Sequence, residues 1–172
     1  MKVELFGDAP AGTKKMISES GYINTELFVD WLKHFQEHVC ASTSNPVSLI
    51  IDNHGSHISL EGIEFCRENN IIILTLPPHS SHKLQPLDRI FFSPLKNFFS
   101  SEINKWRVHH PGEAITMMDF SKLFREAYIR AADVRKGEEG FRCTGIMPYN
   151  PDIFGPEDFA PTEVTEGRFL VQ

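Results

Sequence analysis

The sequence predicts an α/β fold built from parallel strands with flanking helices. Two apolar runs, at residues 47–51 and 71–76, are too short for helices and rich in β-branched side chains, which is typical of buried strands in a parallel sheet. Amphipathic helical segments precede, separate and follow these runs. Strand, helix and strand within about thirty residues predict a right-handed βαβ unit.

Length and composition predict a globular protein without a membrane span. The chain has 172 residues, enough for one domain with a real core and too few for two large ones. No apolar run approaches the roughly 20 residues of a membrane helix, and the first residues lack the apolar core of a secretory signal. Cys40, Cys66 and Cys143 are scattered and odd in number, which favours a reducing compartment over a disulfide framework or a Cys-x-x-Cys zinc site.

The net charge of −6 counts against a general DNA-binding surface, because proteins that contact many phosphates are usually basic. Positive charge is local and lies in the second half of the chain. Composition alone favours solvated helix faces as its explanation, with a track for phosphates as the alternative. The residues concerned are Lys96, Lys105, Arg107, His109, His110, Arg125, Arg130, Arg135 and Lys136.

Two helices are predicted around the first strand. Asn24 is the expected N-cap of the first, and residues 60–68 form the second, between the strands. In the first helix, apolar residues recur at spacings of one, three and four, so that one face belongs to the core. They are Leu27, Phe28, Trp31, Leu32, Phe35 and Val39.

The stretch LPPHSSHKLQPLD, after the second strand, is predicted to loop, because its prolines fix φ and lack the N–H donor. A helical segment should begin near Pro86 and carry Asp88. Pro94 is expected to break it, giving a kink with Ser93 as the cap of a second piece over residues 94–106.

Two amphipathic helices, over residues 94–106 and 117–132, are predicted in the second half of the chain. The rest, residues 140–167, is rich in Gly, Pro and acids, and is expected to run over the surface and end disordered. The inward residues are Leu95, Phe98, Phe99, Ile103 and Trp106 in the first helix, and Phe120, Leu123, Phe124, Ala127 and Ala131 in the second.

Polar side chains follow both predicted strands, at the point where each strand ends. Asp52 comes directly after the first strand, and the loop after the second leads to Asp88. Because parallel strands end at the same edge of a sheet, these two carboxylates can meet there. Paired carboxylates supply the hard oxygen ligands that Mg²⁺ or Mn²⁺ requires.

The block LIIDNHGSHISLEGIEFCRENNIIILTLPPHSSHKLQPLDRIFFSPLK resembles the central block of the DDE superfamily endonucleases. The resemblance is to the pogo, tigger and jerky branch of mariner-like transposases, which also gave rise to centromere protein B. The flanking segments FGDAPAGT, SGYINTELFVDWLKHF and GFRCTGIMPYNPDIF agree with it. The resemblance therefore covers nearly the whole chain.

The resemblance implies a ribonuclease H-like fold, DNA as the partner, a nuclear location, and carboxylates that hold two metal ions for phosphodiester cleavage and strand transfer. Asp52 matches the family's second catalytic aspartate, and Asp88, in LQPLD, matches the third. Four histidines are expected around them. His54 and His57 would orient the carboxylate of Asp52, and His79 and His82 would line the cleft.

The chain departs from the family pattern in three ways. The family's first catalytic aspartate lies upstream of the APAGT segment, and neither Asp8 nor Asp30 stands at its position. The sequence also has no N-terminal helix-turn-helix unit. DRIFFSPLK replaces a smaller, glycine-containing stretch, so that Arg89 could pair with Asp88 and weaken it as a ligand. We therefore expect a partial fold without its first strands, weak or absent metal binding, and no cleavage by the chain alone.

Each site residue has a structural alternative. Asp52 could cap the turn after its strand, and Asp88 could be a first-turn helix acid favoured by the helix dipole. The histidines form two His-x-x-His pairs, which would suit zinc. A domesticated, non-catalytic nuclear interaction protein and a His/Asp metallohydrolase thus remain as alternatives to the endonuclease.

The predicted organisation is a partial endonuclease domain over residues 1–155 and an acidic, disordered tail over residues 156–172. The segment MKVELF reads as strand-like but cannot replace three missing strands. The predicted strand over residues 47–51 would then form an exposed edge of the sheet. We therefore expect the chain to be poorly soluble or to self-associate.

Overall fold

The computed structural model of the protein describes residues 8–159, which divide into two compact units. One unit comprises residues 14–81, and the other residues 8–13 together with residues 82–159. The predicted strand-like MKVELF segment and most of the predicted acidic tail lie outside the described residues. In the described part of the chain, no helix is long and apolar enough to span a membrane.

The unit of residues 14–81 begins with helix α1, Thr25–Val39. Asn24 is its N-cap, as predicted, because its side chain accepts a hydrogen bond of 2.9 Å from the backbone N–H of Leu27. The helix ends at Cys40, which adopts a left-handed backbone conformation (φ 49°). The predicted apolar face is confirmed, since Phe28 and Leu32 are buried in the core.

The two predicted strands are present and parallel. Strand β1, Val47–Ile51, pairs with strand β2, Ile71–Thr75, in the register Val47 to Ile71. Helix α2, Leu60–Glu68, connects them and covers the predicted residues, with Ser59 as its N-cap. The mixed α/β class is therefore confirmed as a two-stranded parallel sheet with flanking helices.

The prediction that both strands are buried is wrong for one face of the sheet. The inward face carries Leu49, Ile51 and Ile71, which pack with Phe28 and Leu32 of α1. On the outward face, by contrast, the side chains of Ile72 and Leu74 are 52% and 51% exposed. Strand β2 therefore has the apolar composition of a doubly covered strand, although the described residues cover only one of its faces.

The chain between the strands and the later helices differs from the predicted loop and kink. It forms a short helix α3, Ser81–Leu84, and then a π-helical turn, Leu87–Phe91, which carries Asp88. Helix α4, Phe92–His109, follows without a break. Pro94 is the third residue of α4, and the helix continues through it directly after the π-helical turn.

Helix α5, Met117–Ala131, packs against α4 through aromatic rings and begins with a capping box of Thr116 and Asp119. The Phe99 and Phe120 ring centroids are 5.1 Å apart. Phe120 was predicted to point inward, but its side chain is 45% exposed, although its ring contacts those of Phe99 and Phe124. Leu123, Phe124, Ala127 and Ala131 lie on the less exposed side of the helix.

Helix α6, Val134–Cys143, was not predicted. Asp133 caps it by accepting a hydrogen bond from the backbone N–H of Arg135. The helix packs against the π-helical turn. Gly140 makes this packing close, since a Cβ atom there would lie 3.2 Å from Cβ of Pro86.

Candidate functional site

Asp52 lies at the carboxyl end of β1, where the backbone turns away from the sheet. Its Oδ1 accepts a hydrogen bond of 3.3 Å from the backbone N–H of His54. This Asx-type contact is the turn-capping role that the sequence left open for Asp52. The side chain remains 45% exposed, so capping the turn does not remove the carboxylate from solvent.

His57 packs against Asp52 from the core side. Its Nδ1 lies 2.6 Å from Oδ1 of Asp52, at ion-pair distance. The ring is not oriented for a hydrogen bond, however, and the buried Nδ1 has no hydrogen-bond partner among the described residues. On its other side the ring contacts Phe28 of α1, with 4.6 Å between centroids. The position of His57 is therefore set by packing as much as by the carboxylate.

His54 caps the 3-10 turn Gly55–His57, and its backbone N–H is the donor to Asp52 described above. Its Nδ1 accepts a hydrogen bond of 3.3 Å from the backbone N–H of Ser56 and lies 2.8 Å from the Ser56 hydroxyl. Because Nδ1 is an acceptor, the proton of the neutral ring is on Nε2. The rings of His54 and His57 lie 5.5 Å apart. The structure thus brings Asp52, His54 and His57 together.

The loop that carries His79 begins at the same edge of the sheet. Thr75 is paired with Ile51, and the backbone N–H of Leu76 donates to the carbonyl of Ile51 at 2.9 Å. Ser80 closes the turn, since its hydroxyl donates to the carbonyl of Pro77 at 2.6 Å. His79 is exposed and has a positive φ of 57° in this turn.

Asp88 and His82 belong to the other compact unit, and both are exposed. Asp88 makes no hydrogen bond or ion pair with any described residue. The pairing considered between Asp88 and Arg89 is not formed; Arg89 is instead one of the cations that lower the pKa of the Asp158 carboxyl.

The residues just before the π-helical turn that carries Asp88 are held by two contacts with later parts of the chain. Gly140 of α6 packs on Pro86, directly before the turn. Lys83 donates to Oδ1 of Asp158 at 2.7 Å. This hydrogen bond, followed by one from the backbone N–H of Gly155, lowers the pKa of the Asp158 carboxyl. Neither anchor uses the Asp88 side chain.

Asp52 has one carboxylate oxygen available for a cation. Both of its contacts involve Oδ1, and Oδ2 makes no hydrogen bond or ion pair with any described residue. Neither carboxylate oxygen of Asp88 makes a hydrogen bond or ion pair with a described residue. These residues therefore fit the hard-oxygen chemistry of Mg²⁺ or Mn²⁺, although each offers ligands within its own unit.

Another group of metal-ligating side chains was not among the predicted site residues. His34, Glu37 and His38 of α1 are the one group of three or more His, Cys, Asp or Glu residues at ligand distances within residues 8–159. The signal was present in the segment HFQEH, because positions three and four apart share one face of a helix. The predicted site residues follow strands, whereas this group lies on a helix.

Two curated relatives are similar to this chain. A protein named MFS-type transporter clz9, from Cochliobolus lunatus, is 40% identical over 147 residues, which are 85% of this chain and 16% of that protein. A human protein named Pogo transposable element with ZNF domain is 27% identical over 132 residues, 74% of this chain and 9% of that protein. The chain thus spans less than a fifth of either relative. No solved structure is significantly similar to it.

The family model described as DDE superfamily endonuclease matches residues 9–130, well over half of the chain. The match includes both predicted carboxylates and the whole βαβ unit. The resemblance inferred from the block around LIIDNHGSH is therefore confirmed, and members of this superfamily are generally dependent on divalent metal ions. The chain belongs to the DDE superfamily of endonucleases.

Proposed function

We propose that the chain is a transposase-derived endonuclease domain that binds nucleic acid, with Asp52 and Asp88 as ligands for Mg²⁺ or Mn²⁺ in a ribonuclease H-like fold. The observation that carries the proposal is Asp52 itself, which follows a parallel strand and keeps Oδ2 without a bond to any described residue. Its position agrees with a family match that spans residues 9–130.

The residues around Asp52 would orient it. The backbone N–H of His54 donates to Oδ1 and the ring of His57 packs beside it, so that Oδ2 would serve as the metal ligand. A bound pair of divalent ions would stabilise the attacking and leaving oxygens of a phosphodiester. His79 and His82 would line the cleft, and neither is assigned as a ligand.

By itself this chain is proposed to be inactive in cleavage. The family's chemistry uses three carboxylates, and these residues supply two of them at matching positions. Because phosphoryl transfer depends on well-positioned metals, a site with a missing ligand would hold them too loosely.

The proposed partner is DNA, and the proposed location is the nucleus. The charge of −6 means that binding would rest on local basic groups and on metal ions rather than on the whole surface. Part of the local charge is already used, since Lys105 and Arg130 both pair with Glu102. Duplex binding by the chain alone is therefore expected to be weak and strongly salt-dependent.

The metal proposal can be tested with Mn²⁺, whose binding is measured by electron paramagnetic resonance and by water-proton relaxation. We expect the unaltered chain to bind Mn²⁺ weakly, and Asp52→Asn and Asp88→Asn each to reduce that binding. Asp30→Asn is the matched control, because it removes an exposed helix carboxylate outside the proposed site. Mn²⁺ binding that is equal in the unaltered chain and both site variants would overturn the assignment.

A further inference from the structure

The last turns of α1 carry three potential metal ligands on one side. His34, Glu37 and His38 are spaced three and four positions apart, and their ligand atoms all lie within 4.8 Å of one another. Nδ1 of His34 lies 3.7 Å from Oε2 of Glu37. The imidazole rings of His34 and His38 are 4.3 Å apart between centroids, in an edge-on arrangement.

The protonation of His38 suits it for a ligand role. Its Nδ1 lies 2.8 Å from the backbone carbonyl oxygen of His34, which can only accept, so Nδ1 carries the proton. The lone pair of the neutral ring is therefore on Nε2. A histidine ligand whose second nitrogen donates to a backbone carbonyl is the usual arrangement in protein metal sites.

The distances suit one ion better than a direct salt bridge. Two ligands at about 2.0–2.1 Å from a tetrahedral Zn²⁺ lie roughly 3.3 Å apart, and the His34 to Glu37 separation of 3.7 Å is close to this value. The same separation is long for a charge-assisted hydrogen bond. A small rotation of the exposed Glu37 and His38 side chains would bring all three atoms to one centre.

We infer that His34, Glu37 and His38 bind a divalent transition metal of the Zn²⁺ type. Two imidazoles and one carboxylate favour Zn²⁺, Cu²⁺ or Ni²⁺ over Mg²⁺, which prefers oxygen ligands alone. Water would complete the coordination. The site shares no residue with the proposed Asp52 and Asp88 site, so either can exist without the other.

A metal held by these residues would clamp the carboxyl-terminal turns of α1. The helix face opposite the site includes Phe28 and Leu32, which are core residues of the same unit. A metal that binds the folded chain and not the unfolded chain would raise the melting temperature, and the rise would increase with the metal concentration. The expected role is therefore a ligand-dependent stabilisation of the unit formed by residues 14–81.

Isothermal titration of the metal-free chain with ZnCl₂ tests the inference. We expect one equivalent to bind with micromolar affinity, His34→Ala/His38→Ala to abolish this binding, and Glu37→Gln to weaken it about tenfold or more. The control is His109→Ala/His110→Ala, which removes paired histidines at the end of α4. Asp52→Asn and Cys40→Ser should also leave the affinity unchanged, and circular dichroism should report α1 as folded in every variant.

The fluorescence of Trp31 reports on this site independently of any enzymatic activity, because Trp31 precedes His34 by about one helical turn. In a Trp106→Phe background, Cu²⁺ should quench Trp31 fluorescence in the chain with His34 and His38 and should not do so in the double variant. Zinc binding that survives His34→Ala/His38→Ala, or is unchanged in Glu37→Gln, would overturn the three-ligand site. So would a loss of binding in Cys40→Ser.

Discussion

Asp52 and Asp88 are held in different ways, although both are proposed to bind the same kind of ion. Oδ1 of Asp52 contacts His57 and the backbone N–H of His54, so this carboxylate already has a defined orientation. Asp88 is exposed and has no bonding partner among the described residues. Metal binding would have to order the Asp88 side chain at a cost in rotamer entropy. Any metal affinity is therefore expected to rest more on Asp52 than on Asp88.

Glu102 gives a pH-dependent prediction. Its hydrogen bond with Lys105, reinforced by Arg130, lowers the pKa of a carboxyl that is only 14% exposed. A lowered pKa in the folded state contributes stability above the unfolded value of about 4.3 and loses it as the pH falls further. We expect Glu102→Gln to lower the free energy of unfolding at pH 7 by about 0.5–1 kcal/mol. Urea unfolding near pH ~3.5 should give a smaller difference.

The control for this prediction is Glu139→Gln, which removes an exposed partner of Arg142 at the same helical spacing. Solvent screens that pair, so its loss should change the urea midpoint less than the loss of Glu102. A Glu102→Gln effect of equal size at both pH values would mean that the substitution acts through packing and not through charge.

Part of the candidate site could be anticipated from the sequence. Asp52, His54 and His57 lie close together because they follow a strand within one turn, where spacing in sequence limits distance in space. The relation of Asp52 to Asp88 stays a prediction, because it depends on how distant segments pack. The His34, Glu37 and His38 group needed only helical spacing, and could have been found by testing histidines on helix faces.

The elements with strong periodicity were predicted well, and those fixed by tertiary contacts were not. Helix α2 and strand β1 have the predicted bounds, because their apolar patterns and caps agree with each other. Helix α6 was missed, since Gly137 and Gly140 lower its helix propensity and its packing on Pro86 is not visible locally. The expected kink at Pro94 is replaced by a π-helical turn just before α4.

The two glycines of α6 make a matched pair for testing this packing. A Cβ at Gly137 would have nothing within 4 Å, so Gly137→Ala should stabilise the protein by about 0.5–1 kcal/mol through helix propensity. A Cβ at Gly140 would lie 3.2 Å from Cβ and 3.3 Å from the carbonyl oxygen of Pro86. We expect Gly140→Ala to destabilise by roughly 1 kcal/mol in spite of the same propensity gain.

Urea unfolding measures both glycine substitutions, and the amide resonance of Asp88 reports on the π-helical turn beside Pro86. Gly140→Ala should shift that resonance, whereas Gly137→Ala should leave it in place. If Gly140→Ala stabilises as much as Gly137→Ala, then α6 does not constrain the turn that carries Asp88.

In the chain as a whole, the family match covers residues 9–130, and the sheet within it has strand edges that no other described strand pairs with. The described residues, 8–159, form two compact units, and the organisation as one endonuclease domain over residues 1–155 stays a prediction. The sheet belongs to one of these units and has two strands among the described residues, so each strand keeps one unpaired edge. Unpaired edges recruit other chains unless they are blocked.

The outward face of the sheet leads to a prediction about association. Ile72 and Leu74 are half exposed on β2, side by side with the unpaired edge of the strand. Apolar side chains on both faces are typical of strands that are covered on both sides. We therefore expect the chain to self-associate through this face, with a sedimentation coefficient that rises with concentration.

Ile72→Thr/Leu74→Thr should reduce that association, because threonine keeps the strand propensity and removes apolar surface. Ile17→Thr/Ile58→Thr is the control, since it removes comparably exposed isoleucines away from the sheet. A monomer at all concentrations, or equal association in both variants, would contradict the prediction.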